Sequence, residues 1–143
     1  MPTTDAPKPV PVPDDLSAGF WAAAANGVLA LPRCRVCDKF AFPPLHVCPE
    51  CGSTRPDYVT EPVEGGGVIR SWTLVRDAFL PGFARDVPYL LVDVELDAQP
   101  DVRMIGRLVD GADTVVHVGD HVAFDFDRLN DEFAVPAFVL DRT

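Results

Sequence analysis

Cysteine is scarce in this 143-residue chain and none is spare: the only four lie within residues 34–51. Basic residues are outnumbered, 12 Lys and Arg against 22 Asp and Glu, for a formal charge of −10. A surface that acidic repels nucleic-acid phosphates. No apolar run approaches the roughly 20 residues of a membrane helix. No apolar signal segment follows the opening Met1-Pro2-Thr3-Thr4, so the cytoplasm is the expected compartment and a secreted disulfide framework is not expected. Ser17, Ser53 and Ser71 lack a glycine-elbow motif. His117 and His121 have the spacing of helical metal ligands, but Gly119-Asp120 between them reads as a turn between strands, where that spacing loses its meaning.

The four cysteines read Cys34-Arg35-Val36-Cys37, then ten residues, then Cys48-Pro49-Glu50-Cys51-Gly52. A two-residue gap lets both sulfurs of a pair face one centre while the backbone turns tightly behind them. Two such knuckles supply the four thiolates of a tetrahedral zinc site. The glycine after Cys51 suits the left-handed backbone that such a turn demands. Iron and redox chemistry are the alternatives, but a redox motif needs a βαβ context after each pair, and none follows. His46 is expected beside the site, not in it. A closed four-cysteine site has no open coordination position, so the zinc is expected to be structural. Four thiolates and one Zn²⁺ add −4 + 2 to the formal charge, giving about −12.

Residues 1–13 carry Pro2, Pro7, Pro9, Pro11 and Pro13 with little to bury, and read as a disordered leader. Asp14 and Asp15 are N-cap candidates and Asn26-Gly27 a helix stop. Between them Leu16, Phe20 and Ala24 recur at a spacing of four, with Trp21 beside Phe20. The pattern predicts a helix of about three turns, too short to stand alone in water, which must dock on its own core or on another protein. A short strand follows at Val28–Leu31. Between the knuckles, Phe40-Ala41-Phe42-Pro43-Pro44-Leu45 carries more apolar surface than a ribbon can bury internally. Phe20, Trp21, Phe42, Pro43 and Pro44 are therefore the candidate contacts, between modules or with a partner.

After Gly65-Gly66-Gly67, a hinge or a close backbone approach, the rhythm changes to period two. In a first strand from Val68, the residues Val68, Trp72 and Leu74 share one parity, and Ile69, Thr73 and Val75 the other. Tyr89–Leu96 turns Leu90, Val92, Val94 and Leu96 inward and Asp93 and Glu95 outward. Val102–Val109 turns Met104 and Leu108 inward and Arg103 and Arg107 outward, with Gly106 marking a bend or bulge. Val122, Phe124 and Phe126 alternate with Ala123, Asp125 and Asp127, and Phe133–Leu140 changes parity at Pro136, implying a bulge or an edge. Five strands in about 75 residues fit a small Greek-key barrel of the OB type. The predicted fold is mainly β: residues 14–31 helix and short strand, 32–60 a rubredoxin-like zinc ribbon, 61–143 a five-stranded OB-fold barrel. Outward carboxylates at Asp93, Glu95, Asp125 and Asp127 are unlike a nucleic-acid-binding OB surface. Arg70, Arg76, Arg103 and Arg107 form a modest positive set that could hold a phosphate if clustered.

The order of these features resembles a known family. A Phe-Trp helix leads to Leu31-Pro32-Arg33-Cys34-Arg35-Val36-Cys37. Then come Phe42-Pro43-Pro44, Cys48-Pro49-Glu50-Cys51-Gly52-Ser53, Gly67-Val68-Ile69-Arg70-Ser71-Trp72-Thr73 and Pro88-Tyr89. Together these resemble the zinc-ribbon plus OB-fold proteins grouped as domain of unknown function 35, over roughly residues 16–140. The resemblance implies a non-catalytic accessory subunit that assembles with a thiolase-superfamily acyl-CoA enzyme. Such enzymes include thiolases, acyltransferases and lipid-transfer-protein-like aldolases of steroid side-chain degradation. Other members are paired with MaoC-like enoyl-CoA hydratases. It further implies that the partner carries the catalytic residues, while this subunit stabilises it and helps enclose the CoA thioester. The four cysteines match the family's zinc positions. The alternatives are a nucleic-acid-binding zinc-ribbon OB-fold protein, which the fold alone would suggest, and a self-contained CoA-thioester enzyme.

Overall fold

The computed structural model describes residues 6–142. Residues 1–5 of the expected leader lie outside the described residues, and residues 6–13 carry no helix or strand. One helix and seven strands follow in chain order: α1 (Ala18–Ala25), β1 (Ala30–Arg33), β2 (Val59–Pro62), β3 (Gly67–Val75), β4 (Tyr89–Leu96), β5 (Arg103–Leu108), β6 (His121–Arg128) and β7 (Ala134–Leu140).

The helix is shorter than the sequence pattern suggested, because a capped turn occupies its expected first turn. The Asp14 carboxylate accepts from the Ser17 N–H (2.8 Å), the Leu16 N–H (3.1 Å) and the Ser17 hydroxyl (2.7 Å), while the Asp14 N–H donates to Ser17 Oγ (3.0 Å). The Ser17 hydroxyl holds the Asp14 carboxyl below the usual carboxylate range. At the other end the Val28 N–H donates to the Ala23 carbonyl (3.0 Å) beyond Gly27, the closing bond of a left-handed helix stop. The last turn has no basic residue of its own. Arg128 of β6 supplies one, donating from Nη1 to the Ala25 carbonyl (2.9 Å), so the barrel itself completes the helix terminus.

β1 and β2 form an antiparallel pair across the ribbon, with Ala30 opposite Pro62 and Arg33 opposite Val59. β3 to β7 close into a barrel of order β3-β4-β5-β7-β6, sealed by β6 against β3. Every pairing is antiparallel except β5 with β7. That single parallel contact is the return of a Greek key, and the order is that of an OB fold.

Inside the barrel Leu90, Val92, Val94 and Leu96 are all buried, as their alternation predicted, and so are Met104 and Leu108. Three strand details differ from the sequence reading. In β3 the register slips between Ile69 and Ser71, so Arg70 is an extra residue and strict alternation ends there. Gly106 marks no bulge, since β4 and β5 pair in unbroken register. A Cβ there would stand 2.9 Å from the Phe138 ring and 2.8 Å from the Pro136 carbonyl oxygen, so glycine makes room for the central aromatic. Pro136 likewise sits in unbroken register opposite Phe126, and the ladder to β5 begins one residue beyond it, at Ala137.

Of the two readings of the glycine triplet, close approach is the one realised. A Cβ on Gly66 would lie 2.1 Å from the Val122 carbonyl oxygen, and one on Gly67 would lie 2.4 Å from that of Glu95. The ribbon and barrel share one hydrophobic core. Phe20, Leu29, Leu31, Phe40 and Val63 form a single cluster with the barrel residues from Ile69 to Phe138. Gln99, in the β4–β5 loop, fastens the joint: its Oε1 accepts from the Phe40 N–H (2.8 Å) and its Nε2 donates to the Phe40 carbonyl (2.9 Å).

Candidate metal centre and apolar groove

The two knuckles are built alike, bond for bond. In the first, the Asp38 N–H donates to the Cys34 carbonyl (2.8 Å) and the Cys34 N–H to the Lys39 carbonyl (2.9 Å). In the second, the Gly52 N–H donates to the Cys48 carbonyl (2.9 Å) and the Cys48 N–H to the Ser53 carbonyl (2.9 Å). The residue after each second cysteine is left-handed, Gly52 at φ 74° and Asp38 at φ 66°. Glycine is the expected residue there and Asp an accepted one.

These turns bring the four Sγ atoms within 4.8 Å of one another, with Cys34 to Cys51 and Cys37 to Cys48 each at 3.9 Å. Sulfurs about 2.3 Å from one tetrahedral zinc would be about 3.8 Å apart. The donor set therefore fits a closed zinc site, with Cys34 and Cys48 buried and Cys51 at the surface. Burial raises the Cys48 thiol, but backbone N–H groups of Cys51 and Glu50, with the Cys34 and Cys51 thiols, bring it down to about 7. The Lys39 N–H lowers the Cys37 thiol, yet burial and the three neighbouring sulfurs push it up to about 11. Four thiols this close ionise together only when a cation offsets their charge. His46 is exposed and lies outside the sulfur cluster.

The other candidate residues converge on one place. Phe20, Trp21, Phe42, Pro43 and Pro44 all line an apolar groove of about 460 Å³ between the ribbon and the barrel. Its opposite wall includes Tyr89, Leu91 and Ile105 from β4 and β5 and Val135 and Pro136 from β7. The rings are packed on one another: Phe20 on Trp21 edge-to-face (4.8 Å), Phe20 on Phe42 (5.7 Å), and Trp21 on Phe133 (6.4 Å). Phe20 is buried, while Trp21 and Phe42 are half-buried. The helix therefore docks at home, and its aromatic face still presents a surface to the groove.

Three of the four candidate arginines are taken up in ion pairs, and Arg76 is exposed just beyond the end of β3. Arg70 pairs with Glu95 (2.6 Å), Arg103 with Asp93, and Arg107 with Asp127 through Nη2 to Oδ1 (2.9 Å). The outward carboxylates Asp93, Glu95 and Asp127 are thus partners in ion pairs between strands, while Asp125 accepts from the Phe126 N–H of its own strand. His117 Nδ1 lies 3.5 Å from Asp120 Oδ2 in the turn before β6, and both His117 and His121 are exposed.

A family model for the rubredoxin-like zinc ribbon domain of ChsH2 matches residues 21–57, and one for the C-terminal OB-fold domain of ChsH2 matches residues 60–127. This chain belongs to the zinc-ribbon and OB-fold family of domain of unknown function 35. Its ribbon is a structural zinc site. The fold is similar to a solved chain described as "Ltp2-ChsH2(DUF35) aldolase", with TM-score 0.77 and 28% identity, covering 92% of this chain and 98% of that one. In sequence it is 29% identical over 131 residues to a "Probable enoyl-CoA hydratase alpha subunit" of Thermomonospora curvata. The match covers 92% of this chain but spans only 39% of that relative's length. Among the described residues no helix is long and apolar enough to cross a membrane.

Sequence reasoning missed Gln99, Arg128 and Asp38. The first two act on backbone groups distant in the chain, so only the fold reveals them. Asp38 had a signal: it occupies the position after Cys37 that Gly52 occupies after Cys51.

Proposed function

We propose that this chain is a non-catalytic accessory subunit of a thiolase-superfamily acyl-CoA enzyme. It stabilises that enzyme and helps enclose the CoA thioester, in the cytoplasm. Among thiolases, acyltransferases and lipid-transfer-protein-like aldolases, the reading favours an aldolase partner, with steroid side-chain degradation as the setting. One observation carries it: the similarity to the chain of the Ltp2-ChsH2 aldolase extends over nearly the whole of both chains. A MaoC-like hydratase is the second reading, supported by the description of the Thermomonospora relative. In either case Cys34, Cys37, Cys48 and Cys51 hold the zinc, which supplies fold and no chemistry. Phe20 and Phe42 join the modules, and Trp21, Pro43 and Pro44 offer the remaining apolar surface.

The test is co-expression with a lipid-transfer-protein-like enzyme, and separately with a MaoC-like hydratase, from the same organism. The aldolase reading expects a stable complex with the former, whose turnover of an acyl-CoA falls at least about tenfold without this subunit. An enzyme equally soluble, equally active and equally able to bind CoA alone would overturn the accessory role. Complex formation with the hydratase only would transfer it there.

A further inference from the structure

The stretch before the helix is seated on the barrel. Residues 6–8 lie on Gly82 in the loop between β3 and β4. A Cβ there would stand 2.7 Å from the Lys8 nitrogen and 2.9 Å from the Ala6 carbonyl oxygen, and φ at Gly82 is +84°. Backbone packed on backbone at that distance requires glycine. From this seat the Lys8 side chain crosses the Phe83 ring, with Nζ 5.0 Å from its centroid, and ends on Asp86 with Nζ to Oδ2 at 2.6 Å. Lys8, Phe83 and Asp86 are all wall residues of the apolar groove.

Much of the rest of the groove wall is fixed by the shared core and by sheet pairing, as Phe20, Met104, Leu91 and Val135 are. Among the described residues the arm is held differently, by a glycine seat, one ion pair and one cation–ring contact. Both contacts are partly solvent-exposed, and the ion pair weakens with salt. We propose that residues 6–8 form a releasable strap on the rim of the groove, latched by Lys8 onto Phe83 and Asp86. Its release opens the groove to apolar ligands. The strap belongs to this chain alone and does not rest on the accessory reading.

Trp72→Phe leaves Trp21, in the groove wall, as the only tryptophan. In that background, binding of the neutral probe N-phenyl-1-naphthylamine is followed by energy transfer from Trp21, and access to Trp21 by acrylamide quenching. Lys8→Ala is expected to bind the probe about three- to tenfold more tightly and to expose Trp21 to quenching, Gly82→Ala to act in the same direction, and Lys8→Arg to behave as the parent. Raising salt from about 0.05 to about 1 M should tighten the parent's binding far more than that of Lys8→Ala. Equal or weaker probe binding by Lys8→Ala overturns the strap, as does a salt effect of the same size in Lys8→Ala and the parent.

Discussion

Two side chains show how single residues fasten this molecule. Gln99 satisfies both backbone groups of the buried Phe40 at once, which its amide can do because it carries a donor and an acceptor. Gln99→Ala would leave both without a partner where water enters poorly. The expected loss is about 1–3 kcal/mol of unfolding free energy, measured by urea titration of the zinc-loaded protein. A loss below about 0.5 kcal/mol would mean that water replaces the amide. Glu95 carries a pH dependence. The Arg70 guanidinium, then the Asp101 N–H, hold its carboxyl below the ordinary value of 4.5. A depressed carboxyl stabilises the fold fully above its unfolded value, and that contribution disappears as pH falls through the folded value. The melting temperature of Glu95→Gln should therefore lie below the parent's near pH 6, and the gap should close toward about pH 3. A gap that widens on acidification would contradict the assignment.

At the scale of elements, the ribbon is a zinc-organised turn pair resting on a core it does not own. Leu31 and Phe40 flank the first knuckle and belong to the same cluster as the barrel's Val92 and Phe138. About one zinc per chain is expected by elemental analysis. Cys37→Ser should lose it, with melting lowered by about 10 °C or more. The sequence suggests that the barrel would stand when the ribbon unfolds. The shared core predicts instead one lowered, cooperative transition seen alike by far-ultraviolet dichroism and tryptophan fluorescence. Two separated transitions would show that the modules are energetically independent.

For the whole molecule, charge and fold point in different directions on nucleic acid. An OB barrel offers a place for single strands, but here Arg70 and Arg103 are held by Glu95 and Asp93 on the β3–β4–β5 face of an acidic protein. Single-stranded DNA or RNA is expected to bind more weakly than about 100 μM at about 0.15 M salt, by fluorescence anisotropy. Micromolar binding that arginine substitutions weaken would restore the nucleic-acid reading.

The sequence by itself determined what depends on short spacing. Cys-x-x-Cys twice decided the metal, the alternation of β4 decided which of its residues face inward, and Asn26-Gly27 decided where the helix stops. Each rests on interactions within a few residues, where local geometry leaves few alternatives. Only the tertiary structure decided the rest. It placed Phe20, Trp21 and Phe42 in one groove, set Gly106 against Phe138, paired Arg70, Arg103 and Arg107 each with a particular carboxylate, and laid Lys8 over Phe83. Those contacts join residues tens of positions apart. Their partners are chosen by barrel closure and strand register, which no local pattern encodes.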